Sequence, residues 1–194
     1  PEPGEVVIDS ANDAATIGTA VHECCAKMVD NHALPNFDEV LKPYEFKKTQ
    51  VDEVKILTFA AWDFWSNNFQ AFGGGVETEH ALRWGQVSGH LDVFSMPFND
   101  GDPPDLAHVL DWKTTRLDIN YVPQMLFYAW LSLLCFDKIH RVKTVIVYLR
   151  DRTADIREWN EDQIHEFGKR FHDDVMRWPD RDEKVYRPGG HCGY

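Results

Sequence analysis

Two strand-like runs in this 194-residue chain carry charged groups where apolar side chains are expected. "AHVLDWKTT" ends an apolar run on Asp111 and Lys113, and "SGHLDVF" sets Asp92 between Leu91 and Val93. Residues two apart in a strand share a face, so Asp111 and Lys113 point together while Trp112 turns to the other side to pack. A buried charge left alone costs several kcal/mol, so these groups either pair with each other or hold an ion. Asp92 and Asp111 are hard oxygen donors suited to Mg²⁺ or Mn²⁺, ions that keep several waters and accept phosphate oxygens. The Trp112 backbone carbonyl would be a further donor. Lys113 beside such an ion is a point charge able to steady a pentavalent phosphate or position an attacking water. Phosphodiester hydrolysis is the chemistry with these requirements.

Periodicity indicates the elements that would position these groups. The spacing predicts a helix over residues 12 to 31, capped by Asn12 or Asp13, with apolar residues recurring at Ile17, Val21, Cys24 or Cys25, and Met28. A second helix over 51 to 69 is rich in aromatics and stops at "AFGGG". "GVETEHALRW" and "GQVSGHLDVFSM" read as strands that turn near Trp84 and Gly85, and "PFNDGDPPDL" reads as a loop. After the strand "AHVLDWKTT" comes a helix over 120 to 136, with Asn120 as cap and Pro123 in its first turn. That helix stacks Gln124 and Tyr128 on one face. "KTVIVYLRD" is an apolar, interior strand, and the last helix spans 160 to 178, opened by Asn160 and closed by Pro179. Helices, three strands, helix, strand, helix is an α/β order with a mixed sheet. The strands on either side of the 120–136 helix are expected to run parallel. No repeat or linker divides the chain, so residues 1–194 are read as one domain.

Composition narrows the alternatives. A hydrophobic content of 43% and seven tryptophans fit a packed globular protein. The apolar runs are too short to cross a bilayer and no secretory leader is seen, so no membrane role is expected. The formal net charge of −12 argues against a polyanionic partner for the surface as a whole. It says nothing about one cleft, and acidic side chains are what a divalent-ion site needs. Cys24, Cys25, Cys135 and Cys192 fit no disulfide framework and read as the reduced thiols of a cytoplasmic protein. The chain opens on Pro1 and stops on "RPGGHCGY", just after a cysteine, which reads as a trimmed piece of a longer protein.

In order along the chain, Gly89-x-x-Asp92, Asp111-Trp112-Lys113-Thr114 and Gln124-x-x-x-Tyr128 resemble the motifs of the RecB-type branch of the PD-(D/E)XK nucleases. "GTAVHE", with Gly18, Thr19 and His22, is similar to that branch's early-helix histidine and the small turn before it. The resemblance implies a restriction-endonuclease-like α/β core, a mixed β-sheet flanked by helices. It implies a metal-dependent deoxyribonuclease, an exonuclease on single-stranded DNA or DNA ends, used in recombination, repair or phage DNA processing in a bacterial or phage-infected cell. His22, Asp92, Asp111 and the Trp112 carbonyl would be ligands of one or two Mg²⁺ or Mn²⁺ ions. Asp92, Asp111 and Lys113 would be catalytic, and Gln124 and Tyr128 would contact the DNA strand. The branch's acidic residue on the preceding strand would match Glu79 or Glu77. Several relatives also hold an iron–sulfur cluster, with one cysteine before the first helix and three near the C-terminus. Cys192 resembles the start of that C-terminal group, so a cluster is expected only in the untrimmed protein.

Plainer readings stand beside these. Asp111 and Lys113 would serve equally as an ion pair at a sheet edge, and His22 as an ordinary helix histidine. One of Glu77 and Glu79 would be merely solvated, and Gln124 and Tyr128 ordinary helix residues. Trp62 and Trp65 read as core rather than as a platform for stacked bases. Arg116, Arg141, Lys143, Arg150 and Arg152 would either line a path for DNA phosphates or be scattered surface charge. Two rival classes follow: a nucleic-acid-binding module that kept the core without activity, and an α/β interaction domain whose polar pairs are structural.

Overall fold

The computed structural model describes residues 10–73, 75–96, 105–115 and 119–176. Helix α1 (Ser10–Asn31) is followed by a single turn, α2 (Phe37–Val40), and by α3 (Lys48–Asn68), which runs into a 3-10 turn at Phe69–Phe72. Strands β1 (Val76–Trp84), β2 (Val87–Ser95) and β3 (Leu106–Lys113) come next, then α4 (Val122–Cys135), β4 (Arg141–Tyr148), β5 (Thr153–Asn160) and α5 (Glu161–Met176). The strands form one mixed sheet in the order β1-β2-β3-β4-β5. Among the described strands only β3 and β4 are parallel, because α4 carries the chain back across the sheet between them.

Every residue of β3 after Leu106 is buried, as befits a strand covered on both faces. On one face Leu110, Trp112 and Val147 pack with Val21 and Met28 of α1 and Leu57 and Trp65 of α3. On the other, Val109, Ile146 and Tyr148 pack with Met125 and Leu131 of α4 and Ile164 of α5. Each such side chain contributes about 1.5–3 kcal/mol by leaving water, so packing rather than helix propensity holds the layers together. Helix α5 can lie close on α4 because Gly168 has no Cβ; one placed there would sit 2.2 Å from Trp130 Nε1. Among the described residues, no helix is long and apolar enough to cross a membrane.

The sheet has one strand more than the pattern predicts. "TADIREWN" is β5, an edge strand paired antiparallel with β4, and its half-buried Asp155 and exposed Arg157 and Glu158 obscure the alternation. Charged side chains are common on edges, where they discourage pairing with another chain. Asn160 does open α5: its side chain accepts the Gln163 amide and the Gln163 side chain accepts its own, both at 3.0 Å. Neither Asn12 nor Asp13 caps α1, since the helix already runs through both from Ser10. Helix α3 begins at Lys48, three residues earlier than its apolar period suggests, with Gln50 Oε1 taking the Lys47 amide at 2.9 Å. The cap of α4 is Tyr121 rather than Asn120, and the Val122 amide donates to Asn120 Oδ1 at 3.1 Å just ahead of the first turn. Trp65 is core, stacked in the α3 layer. Pro179 lies outside the described residues.

Candidate active site

The charged residues collect where two strands stop pairing. β2 and β3 are hydrogen-bonded only through Val93–Ser95 against His108–Leu110. Beyond that the Trp112 amide lacks a β2 carbonyl and donates instead to Asp92 Oδ2, at 2.6 Å. The other oxygen of Asp92 meets His22 Nδ1 of α1 at 2.9 Å. One carboxylate therefore closes the ladder and ties α1 to the sheet. Helix α1 comes this close partly through Gly18, four residues before His22, where a Cβ would stand 3.3 Å from Thr114 Oγ1. Gly18 and Thr19 are helical, so the small turn expected before His22 is absent.

Asp111 and Lys113 sit on the α4 side of the same gap. Lys113 Nζ lies 2.6 Å from Asp111 Oδ2, with side-chain exposures of 11% and 5%. Asp111 Oδ2 is buried, and the Lys113 ammonium is the partner that balances its charge there. Lys113 Nζ donates to Gln124 Oε1 at 3.0 Å, and Gln124 Nε2 donates to the Tyr128 hydroxyl at 2.8 Å. Tyr128 is 1% exposed, so it cannot touch a DNA strand. The expected DNA contact at Tyr128 is replaced by a buried relay through Gln124 to Lys113, and Gln124 is turned inward with it. The reason is packing: Gly89 lets the Tyr128 ring lie against β2, where a Cβ would come 3.0 Å from the ring.

The electrostatics follow from this crowding. Burial pulls the His22 imidazole down, but Asp92 outweighs it and, with Asp111, pushes the pKa up to about 9. Burial pushes the Asp111 carboxyl up and Lys113 opposes it. Burial also pulls Lys113 down, and Asp111 more than offsets that, so the amine stays charged. Glu79 is raised by burial and then by Asp92, while Glu77 pairs with His80 at 2.5 Å. Glu79 thus feels the Asp92 charge, and its own ion-pair partner is His90, at 3.9 Å. Its backbone is unusual: φ is 49°, and it makes no bridge with Asp92, the residue its register places opposite. Such left-handed non-glycine positions are strained and collect at functional sites.

Sequence reasoning missed Tyr121. Its ring lies under Lys113 Nζ, 4.2 Å from the centroid, and its hydroxyl bonds Thr115 Oγ1 at 2.8 Å. The available signal was an aromatic residue three before Gln124, which is weak by itself. Arg116 and Cys192 lie outside the described residues. Of the other basic candidates, Arg141 stands at the far end of β4, opposite Leu106, and Lys143 pairs with His108. Arg150 is near the site, donating to the Thr114 carbonyl at 2.6 Å and pairing with Glu53. Two concavities of about 280 and 450 Å³ run along α3 and the β4–β5 turn. Asp63 lines one and Asp52, Glu53 and Asp151 the other, against Arg150 and Arg152, so they do not form a basic channel for DNA.

The donor types suit a hard divalent cation: the carboxylates of Asp92 and Asp111 and the imidazole of His22. The ligands are not preassembled, however. Among the described residues no three His, Cys, Asp or Glu side chains converge on one ion position, and each of the two carboxylates is paired with a cationic side chain. Cys24 and Cys25 are buried in the core, and burial raises both thiols. No protein-family model matches the chain, and no curated protein does. Among solved structures it is similar to one described as "Crystal structure of SSO0001", at 15% identity over 84% of this chain and 76% of that one. The TM-score is 0.30, too loose a likeness to carry an argument about fold or function.

Proposed function

We propose that the chain is a metal-dependent deoxyribonuclease on a restriction-endonuclease-like core, an exonuclease on single-stranded DNA or DNA ends in recombination, repair or phage DNA processing. The carrying observation is the meeting of His22, Asp92, Asp111 and Lys113 at the end of the β2–β3 ladder, with the Asp111–Lys113 pair almost fully buried. Keeping two carboxylates and an amine this deep costs stability, and an apolar replacement would cost less. Holding an ion would offset that cost with a chemical use.

His22, Asp92, Asp111 and the Trp112 carbonyl would hold Mg²⁺ or Mn²⁺. When bound, the ion supplies charge neutralisation on the phosphate and acidifies water. Lys113 is aimed by Asp111, Gln124 and the Tyr121 ring, and its fixed charge favours the extra negative charge of a pentavalent phosphate. Asp92 holds the Trp112 backbone, so the two carboxylates keep a set spacing. Glu79 is a further acidic group beside Asp92.

A second reading, a nucleic-acid-binding module without activity, has one observation in its favour: each carboxylate already has a cationic partner within the protein. The test is cleavage of end-labelled single- and double-stranded DNA with Mg²⁺, Mn²⁺ or EDTA. Metal-dependent shortening supports the nuclease, and the label's fate gives polarity. Gel retardation without cutting in any metal supports the module.

A further inference from the structure

The β1–β2 hairpin changes faces at the site. Before Glu79 in β1 and after Asp92 in β2, Val76 and Val93 belong to the α1–α3 side, and Thr78 Oγ1 donates to Asp30 of α1 at 2.7 Å. On the hairpin side of those residues the sense reverses: Leu82 and Leu91 belong to the α4 side, and His80 stacks on Phe94 there. The left-handed Glu79, with no bridge to Asp92, marks the reversal. Beyond it Ala81, Arg83, Ser88 and His90 turn to the α1 side, and all four are exposed. Ala81 pairs with His90 and Arg83 with Ser88, so they form a strip two strands wide that starts beside Glu79 and Asp92, where His90 meets Glu79 at 3.9 Å, and leads to the hairpin tip.

The strip carries an uncommitted cation. Among the described residues Arg141, Arg150, Arg152, Arg157 and Arg170 each have a carboxylate partner. Arg83 has none there, and its Nε–H donates to the Gly85 carbonyl at 3.3 Å. Acids are not scarce in a chain of net charge −12, so this arginine is left without one on a surface that begins at the proposed phosphate site. The neighbours Ala81 and Ser88 are small enough to let a backbone come close.

We propose that this strip delivers a single nucleic-acid strand to the carboxylates, with Arg83 holding a backbone phosphate; the inference rests on the nuclease reading above. A ribbon two strands wide, about 10 Å, matches one sugar–phosphate backbone rather than the two of a duplex. Phosphate contacts of this kind set register without reading sequence.

The test is steady-state cleavage of a single-stranded oligonucleotide by the full chain carrying Arg83→Glu, Arg83→Lys or Ser88→Glu, each with its melting temperature. Arg83→Glu and Ser88→Glu are expected to raise KM about ten-fold or more, with kcat within about two-fold and melting unchanged. Arg83→Lys restores most of the loss, and removing the cation lowers the salt dependence of log KM by about one charge. Wild-type KM and salt dependence in both glutamate variants would overturn the strip while leaving the nuclease intact. A wild-type protein that neither cuts nor binds DNA would overturn the nuclease reading and the strip with it.

Discussion

The β3–β4 pair carries ion pairs at both ends, and they are built differently. At its start Arg141 bonds Asp105 and Glu158, with all three side chains 44–54% exposed. At its end Lys113 meets Asp111 with both almost dry. The first set sits in water, where such pairs contribute about 0–1 kcal/mol. The second has lost its hydration, and only the partner keeps each charge affordable. An exposed network can be explained by solubility and edge protection. A buried pair beside a second carboxylate is costly to keep, and the proposed ion site would give it a use.

The largest effect expected from breaking this contrast is on activity. Asp111→Asn keeps the shape and removes the charge, so cleavage should fall on the order of 10²–10³-fold or more, with an unchanged circular dichroism spectrum. Full activity in that variant would remove Asp111 from the mechanism. Lys113→Ala strands a buried carboxylate and should cost about 3–5 kcal/mol in urea unfolding, along with activity. Mn²⁺ should recover part of that stability, because the ion can replace the missing charge.

A third prediction concerns His108, buried on β3 away from the site, with its Nδ1 lacking a partner. Burial holds its pKa down at about 4, whereas the unfolded chain takes up the proton near 6.5. The stability it allows is therefore complete above pH 6.5 and is lost as pH falls toward 4, by roughly 3 kcal/mol. His108→Leu should flatten unfolding free energy across that window; an unchanged slope would count against this origin. The smallest effect is at the other end of the comparison. Arg141→Ala should change stability by less than about 1 kcal/mol, and less still in high salt.

Much of this site was legible because it depends on spacing. Asp111 and Lys113 share a strand face, Gln124 and Tyr128 share a helix face, and both relations follow from periods of two and of nearly four. What those faces meet was not legible. Tyr128 was expected at DNA and is buried, because whether a helix face meets sheet or solvent depends on the whole sheet. Glu77 and Glu79 look equivalent by alternation, yet a left-handed backbone at Glu79 breaks it, and glutamate gives no sign of that. β5 was missed for a related reason: an edge strand is stabilised by its neighbour's backbone more than by an apolar period of its own.

On the proposed reading Asp111 is kept in the core to hold an ion. Titration of Mn²⁺ into the wild-type protein and into Asp111→Asn, followed by the paramagnetic resonance of the free ion, tests it most directly. The account predicts saturable binding of one or two ions by the wild type, lost or at least ten-fold weaker in the variant, a difference of about 1.4 kcal/mol or more. Equal binding by the two proteins, or none by either, would contradict it.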